Sequence, residues 1–161
     1  LFFESAEPPF DELSPQEFFL RFPEGVYEIE GVLQDGGELE STDRLRHVMP
    51  APPSNVRVSG IPAAESCDSP VLPVVSRGGP VEIRWKPVTS SHPRIGRRGR
   101  VRIVRYQLFV GGLSLDLPPS VTRFEVPPEV LDPDEDVVKF EIIATEATGN
   151  NTAVESCFEV R

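Results

Sequence analysis

The sequence has few of the residues from which catalytic centres are usually built. Its 161 residues include only two histidines, two cysteines, two tyrosines, one tryptophan and one methionine. A nucleophilic triad needs a histidine close to a serine or cysteine, and neither His47 nor His92 lies in a motif that supplies this arrangement. Neither cysteine has a second cysteine or a histidine at metal-ligand spacing. The sequence therefore predicts no catalytic residues, no metal ligands and no cofactor.

Long apolar runs and an excess of positive charge are also missing. No apolar stretch approaches the ~20 residues that are needed to cross a bilayer. The net charge is −10, and negative charge opposes nonspecific binding to nucleic acid or to anionic membranes. We expect neither nucleic-acid binding nor membrane insertion. Leu1 is not an initiator methionine and no basic region follows it, so we expect a processed or truncated chain.

The negative charge is concentrated in the first third of the chain. Residues 1–50 contain 12 acidic and 3 basic residues, whereas residues 51–161 contain 14 and 13. The composition changes after Met49, where Pro50-Ala51-Pro52-Pro53 is typical of a stiff hinge. The sequence predicts two parts, an acidic N-terminal segment (1–50) and a second domain (51–161).

Proline and glycine are abundant, with 18 and 12 residues respectively. This content disfavours a helical protein and favours short strands joined by rigid turns. The stretch from Val81 to Pro87 alternates apolar and polar residues, which predicts a strand that turns Val81, Ile83 and Trp85 towards a core. The mostly β prediction rests first on this stretch.

The N-terminal segment contains signals for a short helix and a hairpin. Ser14 followed by Pro15 and Glu17 is a capping box that predicts a helix from about Pro15 to Arg21. Strands at 26–33 and 38–49 are predicted on either side of an Asp-Gly-Gly turn at residues 35–37. One side of this hairpin is acidic and forms either a solvated face or a cation site: Glu28, Glu30, Glu38 and Glu40.

Short alternating strands follow one another from residue 51 to residue 161. Their number and the turns between them predict a seven-stranded antiparallel β-sandwich. The large aromatic residues on their apolar sides are the expected structural core: Trp85, Tyr106, Phe124 and Phe140.

These strands resemble the fibronectin type III family. The resemblance rests on a proline-led first strand, on tryptophan in Ile83-Arg84-Trp85-Lys86-Pro87, on tyrosine in Val104-Arg105-Tyr106-Gln107-Leu108, and on the pattern from Val138 to Ala144. It covers residues 51–161 and implies a sandwich that serves as an adhesion surface or spacer. Val138 stands where the family has a corner tyrosine, so that hydrogen bond is expected to be absent. The whole chain also resembles exported bacterial proteins of unknown function that carry such a domain.

The two cysteines suggest export. Cys67 and Cys157 are an even pair, and a disulfide between them implies an oxidising compartment, secreted or at the cell surface. The alternative is two buried free thiols. A bridge would close a loop of about ninety residues and stabilise the fold by roughly 4 kcal/mol.

The most unusual surface feature is a run of six arginines, which we call the arginine cluster. Guanidinium groups bind carboxylates and sulfates through several donors, so the cluster suits an acidic glycan, an acidic protein partner or a neighbouring protomer. Alternatively it pairs with the acidic N-terminal segment or only faces solvent. Its members are Arg94, Arg97, Arg98, Arg100, Arg102 and Arg105.

Three aromatic residues near the N-terminus, Phe2, Phe3 and Phe10, form a possible hydrophobic contact for a partner. Two other motifs have simpler interpretations. Residues 132–136 predict a solvated turn, because the glycine and the terminal glutamate of a twelve-residue calcium loop are missing at the required offsets. Residues 150–152, Asn-Asn-Thr, match a glycosylation acceptor.

Together these patterns predict an exported, non-enzymatic binding or structural module. It would act in protein–protein interaction or self-association, at the cell surface or in an extracellular assembly. The alternative is a glycan-binding accessory domain of an extracellular carbohydrate-active enzyme. An aromatic platform for sugars is poorly supported, because Trp85 and Tyr106 are assigned to the core, leaving mainly Tyr27.

Overall fold

The structure, a computed structural model, describes residues 10–161. It is mostly β, as predicted, with one short α-helix, α1 (Pro15–Arg21), and a 3₁₀ turn at Pro128–Val130. The strands of the described residues are β1 (Gly25–Val32), β2 (Glu38–Leu45), β3 (Ser54–Val58), β4 (Ile61–Pro62), β5 (Val74–Val75), β6 (Val81–Lys86), β7 (Ile103–Val110), β8 (Leu113–Leu117), β9 (Arg123–Val126), β10 (Val137–Glu146) and β11 (Asn151–Val160).

Helix α1 begins as its capping box predicts. The Ser14 hydroxyl accepts the Glu17 N–H, while the Glu17 carboxylate accepts the Ser14 N–H. These bonds satisfy two donors that a helix start otherwise leaves without partners. The Ser14 hydroxyl also donates to the Glu17 carboxylate, and this bond, together with the one from the Ser14 N–H, lowers the pKa of Glu17. The helix ends at Phe22, whose N–H donates to the Phe18 carbonyl. The predicted bounds of the helix are confirmed.

Strands β1 and β2 form a separate two-stranded antiparallel sheet. Its turn is closed by the Leu33 N–H, which donates to the Gly37 carbonyl at 2.7 Å. Gly36 has φ +84°, a left-handed conformation in which a side chain is strained. Strand β2 ends at Leu45, not at Met49 as predicted, because residues after it pair with a different part of the chain.

The remaining strands form two sheets. One has the order β4-β3-β6-β9 and the other the order β5-β11-β10-β7-β8. Apolar residues of both sheets belong to one buried cluster, so the sheets face each other across a shared core. Residues 51–161 thus contain nine strands rather than seven, since β4 and β5, each two residues long, add to seven longer ones.

One strand pair is parallel, which corrects the prediction of a wholly antiparallel arrangement. Strand β5 runs parallel to β11, with Val74 opposite Glu159 and Val75 opposite Val160. The Glu159 N–H donates to the Pro73 carbonyl at 2.8 Å. Proline has no N–H to donate but keeps its carbonyl, so Pro73 can still take part at the sheet edge.

The core joins the two sheets through aromatic side chains. In β6, Val81, Ile83 and Trp85 are buried, as the alternation predicts. The indole of Trp85 meets the ring of Tyr106 edge-on, with centroids 5.3 Å apart. The Tyr106 hydroxyl accepts the buried Val88 N–H at 2.9 Å.

The other two residues expected in the core differ in burial. Phe140 is 1% exposed, and its ring lies 6.1 Å from that of Phe158. Phe124 is only half-buried and packs against the margin of the cluster. It lies on β9, the edge strand of its sheet, where fewer neighbours cover a side chain.

Cys67 and Cys157 form a disulfide, which confirms that they are not free thiols. Cys67 lies in the loop between β4 and β5, and Cys157 lies in β11. The neighbouring Ser156 hydroxyl donates to the Ala64 carbonyl at 2.8 Å, which holds the same loop. A disulfide indicates an oxidising environment. No helix among the described residues is both long enough and apolar enough to cross a membrane.

Candidate interaction surface

The segment that joins the two parts of the chain, residues 46–51, lies against the loop that carries most of the arginine cluster. The His92 N–H donates to the Met49 carbonyl, and the Arg97 N–H donates to the His47 carbonyl, both at 2.7 Å. The Ala51 N–H donates to the Ser90 carbonyl at 2.9 Å. Pro50 is fully buried. The prolines at this point therefore lie against the second part of the chain and do not form the stiff hinge between two separate parts that the sequence predicts.

Asn150 holds the joining segment from the other side. Its amide nitrogen donates to the Arg46 carbonyl at 2.7 Å and to the Val48 carbonyl at 2.9 Å. A glycan attached to this nitrogen would replace one of its two hydrogens and so remove one of the bonds. The structural role of Asn150 thus competes with its predicted role as a glycosylation acceptor.

Gly96 permits the close approach of the joining segment. Its φ is +72°, and a Cβ placed there would lie 2.1 Å from the His47 carbonyl oxygen. Any side chain at this position would therefore collide with backbone in addition to being strained. Gly99, three residues further on, has open space around the position of a Cβ.

These two glycines give a matched pair of substitutions. We expect Gly96→Ala to separate residues 46–51 from the loop, which should raise amide hydrogen exchange at Arg97 and His92 by at least tenfold. Gly99→Ala should leave both amides within about twofold of wild type. Hydrogen exchange measured by NMR tests this, and equal protection in the two variants would contradict the close approach.

A groove of about 340 Å³ lies where helix α1, the joining segment and the loop meet. The Glu24 carboxylate accepts the His47 N–H at 2.8 Å and lies 3.5 Å from the Arg97 guanidinium. The backbone N–H of His47, helped by the Arg97 charge, holds the pKa of Glu24 below its usual value. The groove is lined by Gln16, Phe19, Glu24, His47, Arg94, Gly96 and Arg97.

Most polar groups of this groove bind one another. The His47 Nε2–H donates to the Phe22 carbonyl at 2.7 Å, and the imidazole stacks on Phe19 with centroids 4.2 Å apart. Arg94 is the cation in this groove that has no ion pair within the described chain. The groove therefore offers an anion contact at Arg94. In residues 10–161 no three histidine, cysteine, aspartate or glutamate side chains are grouped to hold a metal ion.

His92 shapes the loop that carries the arginines. Its Nδ1 accepts the Arg94 N–H at 3.2 Å and the Ile95 N–H at 3.0 Å. Burial of the ring, together with the nearby Arg94 charge, lowers the pKa of His92. Protonation at Nδ1 would turn the acceptor into a donor and remove both bonds.

We expect the loop to loosen in acid. Because the pKa of His92 is lower in the folded than in the unfolded chain, its contribution to stability is complete above about pH 6.5 and is lost as the pH falls below that value. Exchange of the Ile95 amide, corrected for intrinsic rates, should therefore rise between pH 7.5 and 5. His92→Asn keeps an acceptor oxygen and should flatten this pH dependence. Identical profiles in the two proteins would contradict the role of the ring.

The structure leaves most of the arginine cluster without ionic partners. All six members are exposed. Arg97 pairs with Glu24, and Arg105 lies 3.8 Å from Asp116. No carboxylate of residues 10–161 pairs with the other four: Arg94, Arg98, Arg100 and Arg102. Within the part of the acidic N-terminal segment that the structure describes, residues 10–50, pairing thus applies to Arg97 alone.

Most of the aromatic residues that were predicted to contact a partner or a sugar are either half-buried or lie outside the described residues. Phe10 is 49% exposed, whereas Phe2 and Phe3 lie outside the described residues. The Tyr27 hydroxyl donates to the Pro23 carbonyl at 2.8 Å, and its side chain is half-buried. Phe10 is therefore the one predicted aromatic contact that the structure describes as exposed.

A second groove of about 290 Å³ lies beside the predicted polar turn at residues 132–136. Its lining includes Asp132, Glu135 and Lys139. The Asp132 carboxylate accepts the Asp134 N–H at 2.9 Å, and Asp136 pairs with Arg77 at 2.7 Å. These bonds organise the turn itself.

Sequence reasoning did not identify the residues that join the loop to the N-terminal segment. Glu24, His47, Gly96 and Asn150 contact residues that are far away in the chain. The only local signals were a glycine inside a basic loop and an asparagine after Gly149. Both are common in ordinary turns.

No family model matches the chain, and no curated protein matches it. One solved structure with some similarity is the crystal structure of the spore cortex lytic enzyme SleM of Clostridium perfringens. The TM-score is 0.42 and the sequence identity 14%, over 83% of this chain and 38% of that chain. The chain thus spans well under half of the length of that protein, and the similarity is too weak to indicate an activity.

Proposed function

We propose that the protein is an exported, non-enzymatic binding or structural module built on a fibronectin type III-like sandwich at residues 51–161. Numbering the seven longer strands along this region, the first, second and fifth lie in one sheet, and the third, fourth, sixth and seventh lie in the other. This is the arrangement that the sequence resemblance implies. The buried contact between Trp85 and Tyr106 also supports the assignment.

The absence of the family's corner tyrosine does not leave a gap. Val138, at that position, is fully buried near the start of β10. An apolar residue there contributes packing in place of a hydrogen bond. The departure is therefore compatible with the same architecture.

A single observation supports the binding role. Four exposed arginines, which have no ionic partner in residues 10–161, lie on or next to a loop whose backbone is hydrogen-bonded at several points. Because the backbone of this loop is already ordered before a partner binds, less conformational entropy is lost on binding. Guanidinium groups favour carboxylates on that partner. The groups of the nearby groove are largely engaged with one another, which supports binding rather than catalysis.

The disulfide supports export, because such bonds persist in oxidising compartments. We therefore place the module at the cell surface or in an extracellular assembly. Its partner is a protein with an acidic surface, either another protein or a second copy of this chain.

Site-specific crosslinking in cells of the source organism tests this function. A photoreactive residue in place of Arg100 should give one discrete protein adduct outside the cytoplasm. The same residue in place of Ser114, an exposed residue on β8, serves as the control. Adducts of equal yield from both positions, or none from position 100, would contradict the binding role.

A glycan-binding accessory domain is the second candidate, and Arg94 beside the Phe19 ring in the first groove favours it. An acidic sugar would place a carboxylate or sulfate on the guanidinium and a ring face on the aromatic side chain. The buried Trp85 and Tyr106 cannot form a sugar platform. Binding to sulfated or uronate-containing glycans on an array, lost in Arg94→Ala, would support this candidate, and an empty array would dismiss it.

A further inference from the structure

One face of the β1–β2 hairpin carries four glutamates, together with Val26, Val32, Thr42 and Arg44. Glu28 and Glu30 on β1 lie two residues apart and point to the same side, as do Glu38 and Glu40 on β2. The register places Glu30 directly opposite Glu40 and Glu28 opposite Thr42. None of these four glutamates forms an ion pair or hydrogen bond within the described chain. We call them the acidic face.

The hairpin has few buried contacts of its own that would stabilise it. Apart from Gly25, Tyr27 and Leu45, every residue of its two strands is exposed. A two-stranded hairpin alone is at best marginally stable in water, and like charges directly opposite one another destabilise it further. A partner of opposite charge on the acidic face would remove this repulsion.

The same chain contains a matching set of charges. Arg94, Arg98, Arg100 and Arg102 are exposed and have no carboxylate partner among the described residues. Arg100 and Arg102 are separated by the half-buried Val101. Among the described residues, four exposed guanidinium groups thus lack a carboxylate partner, and four exposed carboxylates on another part of the molecule lack a cation.

These two surfaces do not meet within one molecule. The base of the hairpin is fixed next to the loop, where Glu24 pairs with Arg97 and the Arg97 N–H binds His47. Glu30 lies five residues beyond Gly25, or roughly 17 Å along an extended strand. Among the described residues, no ion pair joins the acidic face to the arginines of its own chain.

We infer that the occupant of the acidic face is the arginine cluster of a second copy of this chain. The inference rests on the proposed binding function and names its partner. Charge complementarity carries it, because the hairpin face is mainly negative and the arginine cluster is positive. Bidentate contacts between arginine and glutamate would give the contact its specificity. Since the two surfaces differ, the contact occurs twice in a two-fold dimer or repeats head-to-tail in a longer assembly.

Charge-swap variants of the whole chain, compared by sedimentation velocity at 0.1 M salt over a wide concentration range, test this inference. The hairpin variant carries Glu30→Arg with Glu40→Arg, and the loop variant carries Arg100→Glu with Arg102→Glu. Wild type should associate. Each variant alone should be monomeric, because reversing two of the four charges leaves the four side chains of one of its two surfaces with no net charge. A mixture of the two variants should associate again, because each surface meets its complement in the other protein.

Matched controls change the charge by the same amount elsewhere. Asp134→Arg with Glu135→Arg corresponds to the hairpin variant, and Lys86→Glu with Arg123→Glu corresponds to the loop variant. Both pairs are exposed, and their side chains have no ion pair within the described chain. These controls should associate as wild type does. Raising the salt to 0.5 M should weaken association at least tenfold, since the Debye length falls below ~10 Å.

Several outcomes would overturn the inference. They are a wild type that stays monomeric at every concentration, a mixture that does not associate, or controls that dissociate as fully as the charge-swap variants. A monomeric wild type that still gives an arginine-dependent adduct with a different protein in cells would overturn self-association alone. That result would leave the proposed binding function in place.

Discussion

Removal of the disulfide by Cys67→Ala with Cys157→Ala is expected to lower the free energy of unfolding by about 4 kcal/mol. The bond joins residues that are 90 positions apart, so it restricts the unfolded chain strongly. The chain-entropy model gives stabilisation of this size for a loop of that length. Urea unfolding of the two proteins, followed by tryptophan fluorescence, measures the difference.

Reduction of the wild type is the control for this variant. Wild type in a strong reductant should unfold at nearly the same urea concentration as the double alanine variant. This is expected because the packing of the two sulfur atoms contributes little to the free energy of unfolding in comparison with the covalent constraint. An unfolding midpoint that neither reduction nor substitution changes would show that the bond does not constrain the unfolded chain.

Trp85→Ala is expected to destabilise the protein by about 3–5 kcal/mol, the usual cost of removing a large buried aromatic side chain. Trp85 is 5% exposed and contacts Tyr106 on the opposite sheet. Its loss would leave a cavity between the two sheets. Thermal or urea unfolding followed by far-ultraviolet circular dichroism measures the effect, because the variant has no tryptophan fluorescence.

Trp85→Phe separates the cost of the cavity from the effect of the indole N–H. The indole N–H is buried and has no partner in the described structure. Substitution by phenylalanine therefore removes an unsatisfied donor while it keeps most of the apolar volume. We expect its cost to be less than half that of Trp85→Ala. Equal costs would mean that the indole N–H makes a bond in solution.

The sequence was informative wherever structure depends on neighbours in the chain. The capping box at Ser14 predicted the bounds of α1, and the alternation around Trp85 predicted which side of β6 is buried. Signals at strand ends were weaker. The sequence predicted that β2 would extend to Met49, but the backbone carbonyls of residues 46–49 bind Asn150 and the loop that carries the arginines instead.

The candidate surface was only partly predictable. The six arginines and four glutamates could be recognised in the sequence. No local pattern, however, indicated that Arg97 would form an ion pair with Glu24 or that Arg100 would have no such pair among the described residues. Such choices depend on contacts between residues that are far apart in the chain. The Asn150 amide, for example, binds carbonyls 104 and 102 residues away.

The sequence by itself determined the mostly β character, the short capped helix, the hairpin and the cysteine pair, because periodicity, caps and turns act over a few residues. Only the tertiary structure decided the parallel pairing of β5, the burial of Pro50 and the close approach at Gly96. It also decided which charges are neutralised and which stay free. Those features depend on how segments that are distant in the chain pack together. The free energy of that packing depends on the whole fold and not on neighbouring residues in the sequence.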